Sequence, residues 1–238
     1  MKKTAVLFGA SGGIGSKLAE RLSDWNLFGV ARDEQRLRAS PVNHHLAGDA
    51  SDFAFVERCF EEATTAFGQV DAAINCVGSI ILKPAHLTTD KELEECLRQN
   101  LWTAFAVVRA GARAMMRRGG SIVLVSSSAA QLGLANHDAI AAAKGGVEAL
   151  VRSAAAGYAG RNLRVNAVAP GLVDTPLAAK ITSSEKALDA SKAMHPLGRI
   201  GRPEQVASAL AWLLADEQDW ITGQVLGIDG GLARLRPR

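Results

Sequence analysis

The chain has 238 residues, of which 48% are hydrophobic and 21% are charged, so it can bury a large core and is not an intrinsically disordered protein. Its net charge of +3, with both signs interspersed, excludes a dedicated nucleic-acid surface, and no apolar stretch is long enough to predict a membrane span. Three scattered cysteines and the lack of a signal-peptide pattern predict a protein of the reducing cytoplasm.

Short apolar segments alternate with longer amphipathic segments, which is the pattern of repeated strand–helix–strand units. The predicted strands are residues 4–9, 27–31, 44–47, 72–76, 121–126, 164–169 and 224–228. The predicted helices are residues 14–24, 52–67, 89–116, 140–158 and 203–215. Because most strands are almost wholly apolar, we expect a parallel sheet that helices cover on both faces. The predicted fold class is therefore α/β: one doubly wound Rossmann domain over residues 1–238, with about seven strands.

Residues 170–201 follow the sixth predicted strand and show no regular hydrophobic period. Open α/β sheets bind their ligands beyond the carboxyl ends of the strands. We therefore predict that this segment is an irregular substrate lid.

A run of small residues follows the first predicted strand and opens the first predicted helix. The residues that we predict to bind a cofactor there are Gly9, Ser11, Gly12, Gly13, Ile14 and Gly15. Small residues let the backbone approach a pyrophosphate, and the helix N-terminus offers free N–H groups and a positive dipole end. A structural turn is the plain alternative for a glycine-rich loop, but its position between a strand and a helix favours a dinucleotide site.

The end of the second strand predicts the choice of cofactor. NAD sites often place an acid there, whereas this chain has Ala31 followed by Arg32. Because an arginine accommodates a 2′-phosphate, we predict that NADP(H) is preferred over NAD(H). Two alternatives remain: Arg32 pairs with Asp33 or Glu34 at the surface, or Asp33 turns inward and reverses the preference.

Over nearly its whole length the sequence resembles the short-chain dehydrogenase/reductase family. The glycine loop matches the family pattern, with Phe8 where threonine is usual. The other matching residues and motifs, in chain order, are Asp49, Asn75-Cys76-Val77-Gly78, Asn100, Ser127, Lys144, the run from Arg164 to Pro170-Gly171, Thr175, Thr222-Gly223-Gln224 and Asp229-Gly230-Gly231.

The resemblance implies hydride transfer between a nicotinamide cofactor and a carbonyl or alcohol carbon of a small-molecule substrate. It implies that Ser127 polarises the carbonyl, that Lys144 holds the ribose, and that Asn100 holds a water of the proton relay. The remaining cofactor contacts that it implies are Asp49 at the adenine, Asn75, Gly78, Pro170, Gly171, and Thr175 at the nicotinamide amide. It also implies a homodimer or homotetramer paired through the helices predicted at residues 89–116 and 140–158.

One position departs from the family. The family's tyrosine, which exchanges the proton, lies four residues before the lysine, where this chain has Ile140. The only tyrosine, Tyr158, lies beyond Lys144 by roughly 20 Å along the same predicted helix. Since a positioned general acid contributes about 10² to 10⁴ in rate, we expect carbonyl reduction by the family's mechanism to be severely weakened.

His137 is the candidate replacement for the tyrosine. It lies seven residues before Lys144, which on a helix is nearly the same face, and an imidazole titrates near neutral pH. In the related enoyl-acyl carrier reductases the tyrosine holds this position. A loop histidine, or one that contacts Asp138 at the helix start, is the plain alternative.

Three functions therefore remain open. The first is an NADP(H)-dependent oxidoreductase that acts on a carbonyl, alcohol or activated alkene with an altered proton donor. The second is a cofactor-binding protein without turnover, such as a sensor or partner subunit. The third is a non-redox lyase or isomerase that uses Lys144 and His137. No metal site is predicted, because the other histidines show no paired spacing with acids or cysteines.

Overall fold

A seven-stranded parallel sheet forms the centre of the computed structural model, which describes residues 2–236. The strands are β1 Thr4–Phe8, β2 Asn26–Ala31, β3 His44–Ala47, β4 Ala72–Asn75, β5 Gly120–Val125, β6 Leu163–Pro170 and β7 Val225–Ile228. They lie in the order β3-β2-β1-β4-β5-β6-β7. The predicted fold class, a doubly wound α/β sheet of seven strands, is confirmed.

Helices connect the strands. They are α1 Gly13–Arg21, α2 Glu34–Arg38, α3 Phe53–Phe67, α4 Asp90–Leu97, α5 Thr103–Met115, α6 Asp138–Tyr158, α7 Ala179–Thr182, α8 Glu185–Met194 and α9 Pro203–Leu214. A π-helical turn, Arg98–Trp102, joins α4 to α5. Single 3₁₀ turns occur at Ala85–Leu87, Ser128–Ala130, Ala159–Arg161, Pro176–Ala178 and Asp216–Gln218. None of the helices within residues 2–236 has both the length and the apolar character needed to cross a bilayer.

Two apolar cores cover the two faces of the sheet. Phe60 of α3, Val107 of α5 and Val151 of α6 belong to one core, whereas Leu18 of α1 and Leu210 of α9 belong to the other. Every side chain of β1 is buried, as expected for a central strand with helices on both faces. The expectation of buried strands fails at the sheet edges, because the first two residues of β3 and the middle of β7 are exposed.

The helix predicted over residues 89–116 is interrupted. The α-helical hydrogen bonds give way to the π-helical turn between α4 and α5, and two side chains bond to carbonyls in this stretch. Asn100 Nδ2 donates to the Cys96 carbonyl at 2.9 Å, and Thr103 Oγ1 donates to the Gln99 carbonyl at 3.0 Å. The apolar period of the sequence continues across this turn, so it predicted one helix.

The prediction that residues 170–201 are irregular is wrong, because the segment contains α7 and α8. Ser184 caps α8 by accepting a hydrogen bond from the Ala187 N–H, which satisfies one free donor of its first turn. Helix α2 was also missed. Both α2 and α7 are too short for a hydrophobic period to reveal them.

Candidate active site

A cleft of about 390 Å³ opens at the carboxyl ends of β1, β2 and β4. Strand β1 pairs with β2 on one side and β4 on the other, so the connections after β1 and β4 diverge to opposite faces. Ligands of open α/β sheets bind where the strand order reverses in this way. The predicted cofactor residues that line the cleft are Gly9, Ser11, Gly12, Gly13, Ile14, Gly15, Arg32, Asp49, Gly78 and Thr175.

The glycine loop leaves its backbone bare because side chains do not fit there. A Cβ at Gly15 would overlap the Gly9 carbonyl, and a Cβ at Gly13 would lie 2.8 Å from Thr175 Cγ2. Gly12 precedes α1 without a side-chain cap, so no side chain occupies the first N–H groups of that helix. A free helix N-terminus behind a bare loop fits the pyrophosphate of a dinucleotide.

The loop after β2 holds two free cations. Arg32 and Arg36 are exposed and line the cleft, and neither forms an ion pair within the part of the chain that the structure describes. Asp33 Oδ1 accepts a hydrogen bond from the Arg36 N–H at 3.0 Å and thereby caps α2, while Glu34 pairs with Arg38. Sequence reasoning missed Arg36, because Arg32 precedes α2 and no helical spacing relates the two side chains.

Asp49 reaches the cleft as an ionised carboxylate. Burial alone would raise its pKa, but hydrogen bonds from Ser51 and the charge of Arg98 outweigh burial and hold the pKa below its ordinary value. Oδ1 accepts from the Ser51 N–H at 2.9 Å, and Oδ2 accepts from Arg98 Nη1 at 2.9 Å. The carboxylate is therefore an acceptor for an amino group within the cleft.

Two asparagines brace the loop after β4 and do not line the cleft. Asn75 Nδ2 donates to Thr103 Oγ1 at 3.1 Å, and its Oδ1 accepts from the Val77 N–H at 3.1 Å. Asn100 Oδ1 accepts from the Ser79 N–H at 3.2 Å, while its Nδ2 donates to Ser79 Oγ at 2.9 Å. The two amides hold this loop against the π-helical turn and α5.

Lys144 is a buried amine that faces the same loop. Its Nζ donates to the Val125 carbonyl at 2.7 Å, and a Cβ at Gly78 would lie 3.6 Å from Nζ. Burial lowers the pKa of Lys144 from 10.5 to about 8, against a smaller opposing effect of Cys96 and Cys76. Burial also raises the pKa of Cys76 to about 12, so that thiol is neutral and gives the ammonium no counter-charge at neutral pH.

At the position where the family has tyrosine, both the side chain of Ile140 and its surroundings are apolar. Ile140 is only 4% exposed, and it belongs to a cluster with Cys96, Ala139 and Ala143, against which Leu97 packs. This cluster fills the space between α4 and α6. Nothing in it can donate a proton to a substrate except the Cys96 thiol, whose pKa burial raises.

The structure sets His137 apart from the cofactor cleft. Helix α6 begins at Asp138, so His137 is a non-helical residue before it, and the helical spacing that placed it above Lys144 does not apply. Its Nδ1 lies 2.8 Å from the Ala135 carbonyl, and its ring is not among the groups that line the cleft. Of the two plain alternatives, the contact with Asp138 is not formed within residues 2–236, and that carboxylate accepts from the Ala85 N–H instead.

Ser127 lies two residues beyond the end of β5, whose last residue, Val125, is the acceptor of Lys144. Its Oγ accepts from the Ala129 N–H at 3.2 Å, which begins the 3₁₀ turn Ser128–Ala130. The hydroxyl of the following serine has a structural role, because Ser128 Oγ donates to the Pro170 carbonyl at 3.0 Å. Of the two, Ser127 keeps a hydroxyl proton that is free to donate.

His195 latches the segment after β6, and sequence reasoning gave it no role. Its Nδ1 lies 2.6 Å from the Ser191 carbonyl, and its Nε2 accepts from the Leu172 N–H at 3.2 Å. Gly171 makes room for the ring, because a Cβ there would lie 2.5 Å from Nε2. Pro170 and Gly171 therefore position this segment and do not line the cleft. No local sequence signal marks such a latch.

No group of three histidine, cysteine or carboxylate side chains suited to a metal ion occurs within residues 2–236.

Comparison with known proteins decides the family. Residues 9–233 match the family described as enoyl-(acyl carrier protein) reductase. The 3-oxoacyl-[acyl-carrier-protein] reductase FabG of Thermotoga maritima is 35% identical over 234 residues, which cover 97% of this chain and 92% of that protein. The chain belongs to the short-chain dehydrogenase/reductase family. It is an oxidoreductase of that family, whose matched members are named reductases and dehydrogenases.

Solved structures of short-chain dehydrogenases/reductases superpose along the whole chain. Levodione reductase has a TM-score of 0.93 and 27% identity, covering 98% of each chain. ElxO with NADP bound has a TM-score of 0.92 and 25% identity, covering 99% of this chain and all of that chain.

The buried amine makes folding depend on pH in a defined window. Because burial lowers the pKa of Lys144 from 10.5 to about 8, the folded protein binds this proton less tightly than the unfolded chain. The free energy of unfolding of the wild type should therefore rise, relative to Lys144→Met, by up to about 3 kcal/mol as the pH increases from 8 to 10.5. Urea unfolding at several pH values measures the difference.

Lys17→Met is the control, because Lys17 is only partly buried and a hydrogen bond with Glu20 raises its pKa. Its stability relative to the wild type should not fall in this way between pH 8 and 10.5. Parallel pH profiles for the wild type and Lys144→Met would contradict the assignment of a depressed pKa to Lys144.

Proposed function

We propose that the chain is an NADP(H)-dependent oxidoreductase that acts on a small carbonyl, alcohol or activated-alkene substrate with an altered proton donor. The observation that carries the proposal is the cleft in which the bare glycine loop, ionised Asp49 and two unpaired arginines meet. When bound, the nicotinamide ring of such a cofactor supplies or accepts the hydride. The protein's own residues bind, orient and handle the proton.

The arginines support the choice of NADP(H). A 2′-phosphate carries up to two negative charges and accepts paired hydrogen bonds from guanidinium groups. Arg32 and Arg36 line the cleft without ion-pair partners in residues 2–236, whereas the carboxylate of Asp33 is used as a helix cap. The similar structure of ElxO, solved with NADP bound, agrees with this choice.

Lys144 is the proposed proton donor. Ile140 has no proton to give, and His137 precedes α6 with its Nδ1 at the Ala135 carbonyl. Lys144 is itself buried behind the cleft lining, where its Nζ faces Gly78. A general acid acts best when its pKa is near the working pH, and the pKa of Lys144 is about 8. Its ammonium faces Gly78, which lines the cleft, and Ser127 leaves a free hydroxyl proton just after β5, the strand whose Val125 carbonyl accepts from Lys144.

We also propose that residues 170–201 form a movable lid at the cofactor cleft. Thr175, Pro176 and Leu177 line the cofactor cleft, and helices α7 and α8 follow them directly. His195, just after α8, bonds to the Leu172 N–H, so the segment is tethered at both ends, and residues 175–177 near its first end line the cleft. Opening of this segment would admit substrate.

A cofactor-binding protein without turnover is the competing function. The burial of Ile140 in an apolar cluster supports it, because the family's proton donor has been replaced by packing. The cleft would then serve only to sense the cofactor.

The free thiols of Cys59, Cys76 and Cys96 suit the reducing cytoplasm that we propose as the compartment.

We also propose that the chain pairs with a second copy through α5 and α6. Phe105 and Trp102 are large apolar side chains, 49% and 44% exposed, at the start of α5 and in the turn before it. Together with Leu101 and Leu150 they line a shallow apolar cavity of about 810 Å³. Exposed aromatic side chains around such a hollow are typical of an interface.

The cofactor choice predicts a selective loss. Arg32→Ala and Arg36→Ala should each weaken NADPH binding about 10-fold, because each removes a charge-assisted contact with the 2′-phosphate, and should leave NADH binding unchanged. Calorimetric titration of both cofactors measures the effect. Arg38→Ala is the matched control, since Arg38 lies on the same helix but pairs with Glu34. Equal losses for NADPH and NADH would count against a 2′-phosphate site.

The catalytic prediction concerns Ile140. Ile140→Tyr places a phenol one helical turn before Lys144. The positive charge of Lys144 should lower the pKa of that phenol. With NADPH, kcat/KM for simple ketones and aldehydes should rise about 100-fold. Steady-state assays over a carbonyl and alkene panel measure it, and a thermal melt checks that the larger ring has not overpacked the cluster around Cys96.

The matched variants identify the native proton donor. If Lys144 supplies the proton, wild-type kcat/KM falls above a pH of about 8, Lys144→Arg loses turnover because a guanidinium does not release its proton near neutral pH, and His137→Ala retains turnover. Loss of turnover in His137→Ala would instead assign the proton to His137. Absence of turnover in the wild type and in a folded, NADPH-binding Ile140→Tyr variant would favour the protein without catalysis.

The assembly proposal predicts a change of mass. Phe105→Glu places a charge in the apolar surface of α5 and should convert a dimer to monomers, or a tetramer to smaller species, because an unpaired charge is costly in an interface. Light scattering at micromolar concentration measures the mass. Leu87→Glu, an equally exposed apolar position outside α5 and α6, should leave it unchanged. A monomeric wild type would overturn the proposal.

A further inference from the structure

One side-chain amide of the cofactor cleft has a donor with no hydrogen-bond partner among residues 2–236. Gln99 lines the cleft together with Asp49 and Val77, is only 3% exposed, and its Nε2 is that donor. A buried amide N–H that is left unsatisfied destabilises the folded protein. Such a donor is relieved when a ligand brings an acceptor to it.

The neighbours of Gln99 in the π-helical turn are already engaged. Arg98 donates to Asp49, to Ser51 and to Glu95, and the Asn100 side chain bonds to Ser79 and the Cys96 carbonyl. The carboxylate of Glu95, one helical turn earlier, receives the Arg98 guanidinium, which lowers the pKa of Glu95, and the Gln99 side chain adds a smaller effect of the same sign. No hydrogen bond of normal geometry joins Gln99 Nε2 to Glu95 or to any other group within residues 2–236.

The place of Gln99 in the cleft restricts the ligand group that it meets. Gly48, Asp49, Ala50 and Val77 line the same cavity, and the ionised Asp49 favours a ligand amino group. Adenine offers that amino group together with ring nitrogens that accept hydrogen bonds. Guanine would instead present a carbonyl oxygen to the carboxylate, which repels it.

We propose that Gln99 donates a hydrogen bond from Nε2 to a ring nitrogen of the cofactor's adenine, and so helps to determine which base the cleft accepts. This inference rests on the proposed dinucleotide function. Asp49 and Gln99 then act as an acceptor and a donor that match complementary groups of one base.

The proposal predicts different effects of a Gln99 substitution on the thermal stability of the cofactor-free protein and on its affinity for the cofactor. Gln99→Met keeps the length and apolar volume of the side chain but removes the amide. The empty variant should melt at the same temperature as the wild type or higher, because a buried unpaired donor has gone, and it should bind NADP⁺ about 10-fold more weakly. A purely structural glutamine would lower the melting temperature and leave affinity unchanged.

Cofactor analogues identify the acceptor. Calorimetry with NADP⁺ is compared with NADP⁺ analogues in which N1, N3 or N7 of adenine is replaced by C–H. The wild type should bind one of these analogues about 10-fold more weakly than NADP⁺, whereas Gln99→Met should bind that analogue and NADP⁺ equally. Glu95→Gln is the matched control on the same helix face and should keep the wild-type ratio between analogue and NADP⁺.

The outcomes distinguish this inference from the function beneath it. Failure of the wild type to bind either NADP⁺ or NAD⁺ overturns the dinucleotide function itself. Tight wild-type binding, with Gln99→Met showing the same discrimination among analogues, overturns the role of Gln99 alone. A lower melting temperature of the empty Gln99→Met protein, with unchanged NADP⁺ affinity, also overturns it and assigns Gln99 to packing.

Discussion

The close passage of the β1–α1 loop against its neighbours is the constraint on which the cleft depends. A Cβ at Gly9 would lie 2.9 Å from the Cys76 carbonyl carbon after β4, and a Cβ at Gly13 would meet Thr175 from the segment after β6. The connections after β1, β4 and β6 therefore come together at glycines of the β1–α1 loop, which have no side chains. Gly9 also has a φ of +81°, a conformation that side chains disfavour. Substituting these glycines would separate the elements that form both walls of the cleft.

The π-helical turn connects the two ends of this cleft. Arg98 binds the Asp49 carboxylate, Gln99 lines the cavity, and Asn100 holds the loop at Ser79. Three successive residues thus point to three different parts of the site. In a regular α-helix, successive side chains point about 100° apart around the helix axis. π-helical turns are rare and occur frequently at functional sites. Movement of this turn would shift the Asp49 end and the Lys144 end of the cleft together.

The reaction end of the cleft combines low polarity with one amine. Lys144 is buried beside neutral thiols and an apolar cluster, and its single protein acceptor is the Val125 carbonyl. A lysine ammonium in such surroundings holds its proton less tightly than in water, because no carboxylate balances its charge. Burial therefore depresses the pKa of Lys144, and the apolar cluster around Ile140 lies one helical turn earlier on α6.

The sequence by itself determined the order of strands and helices, the glycine loop, the position of Asp49 and the isoleucine at position 140. These features are local: they depend on hydrophobic period, on small residues between a strand and a helix, and on residue identity. Only the tertiary structure decided that Asp33 caps α2 while Arg36 and Arg32 line one cleft, that His137 lies before α6, and that His195 bonds to the backbone of Leu172. It also decided that Gln99 is buried without a partner. Each of these depends on which side chains meet after the sheet has assembled, and spacing along one helix or strand does not specify contacts between distant segments.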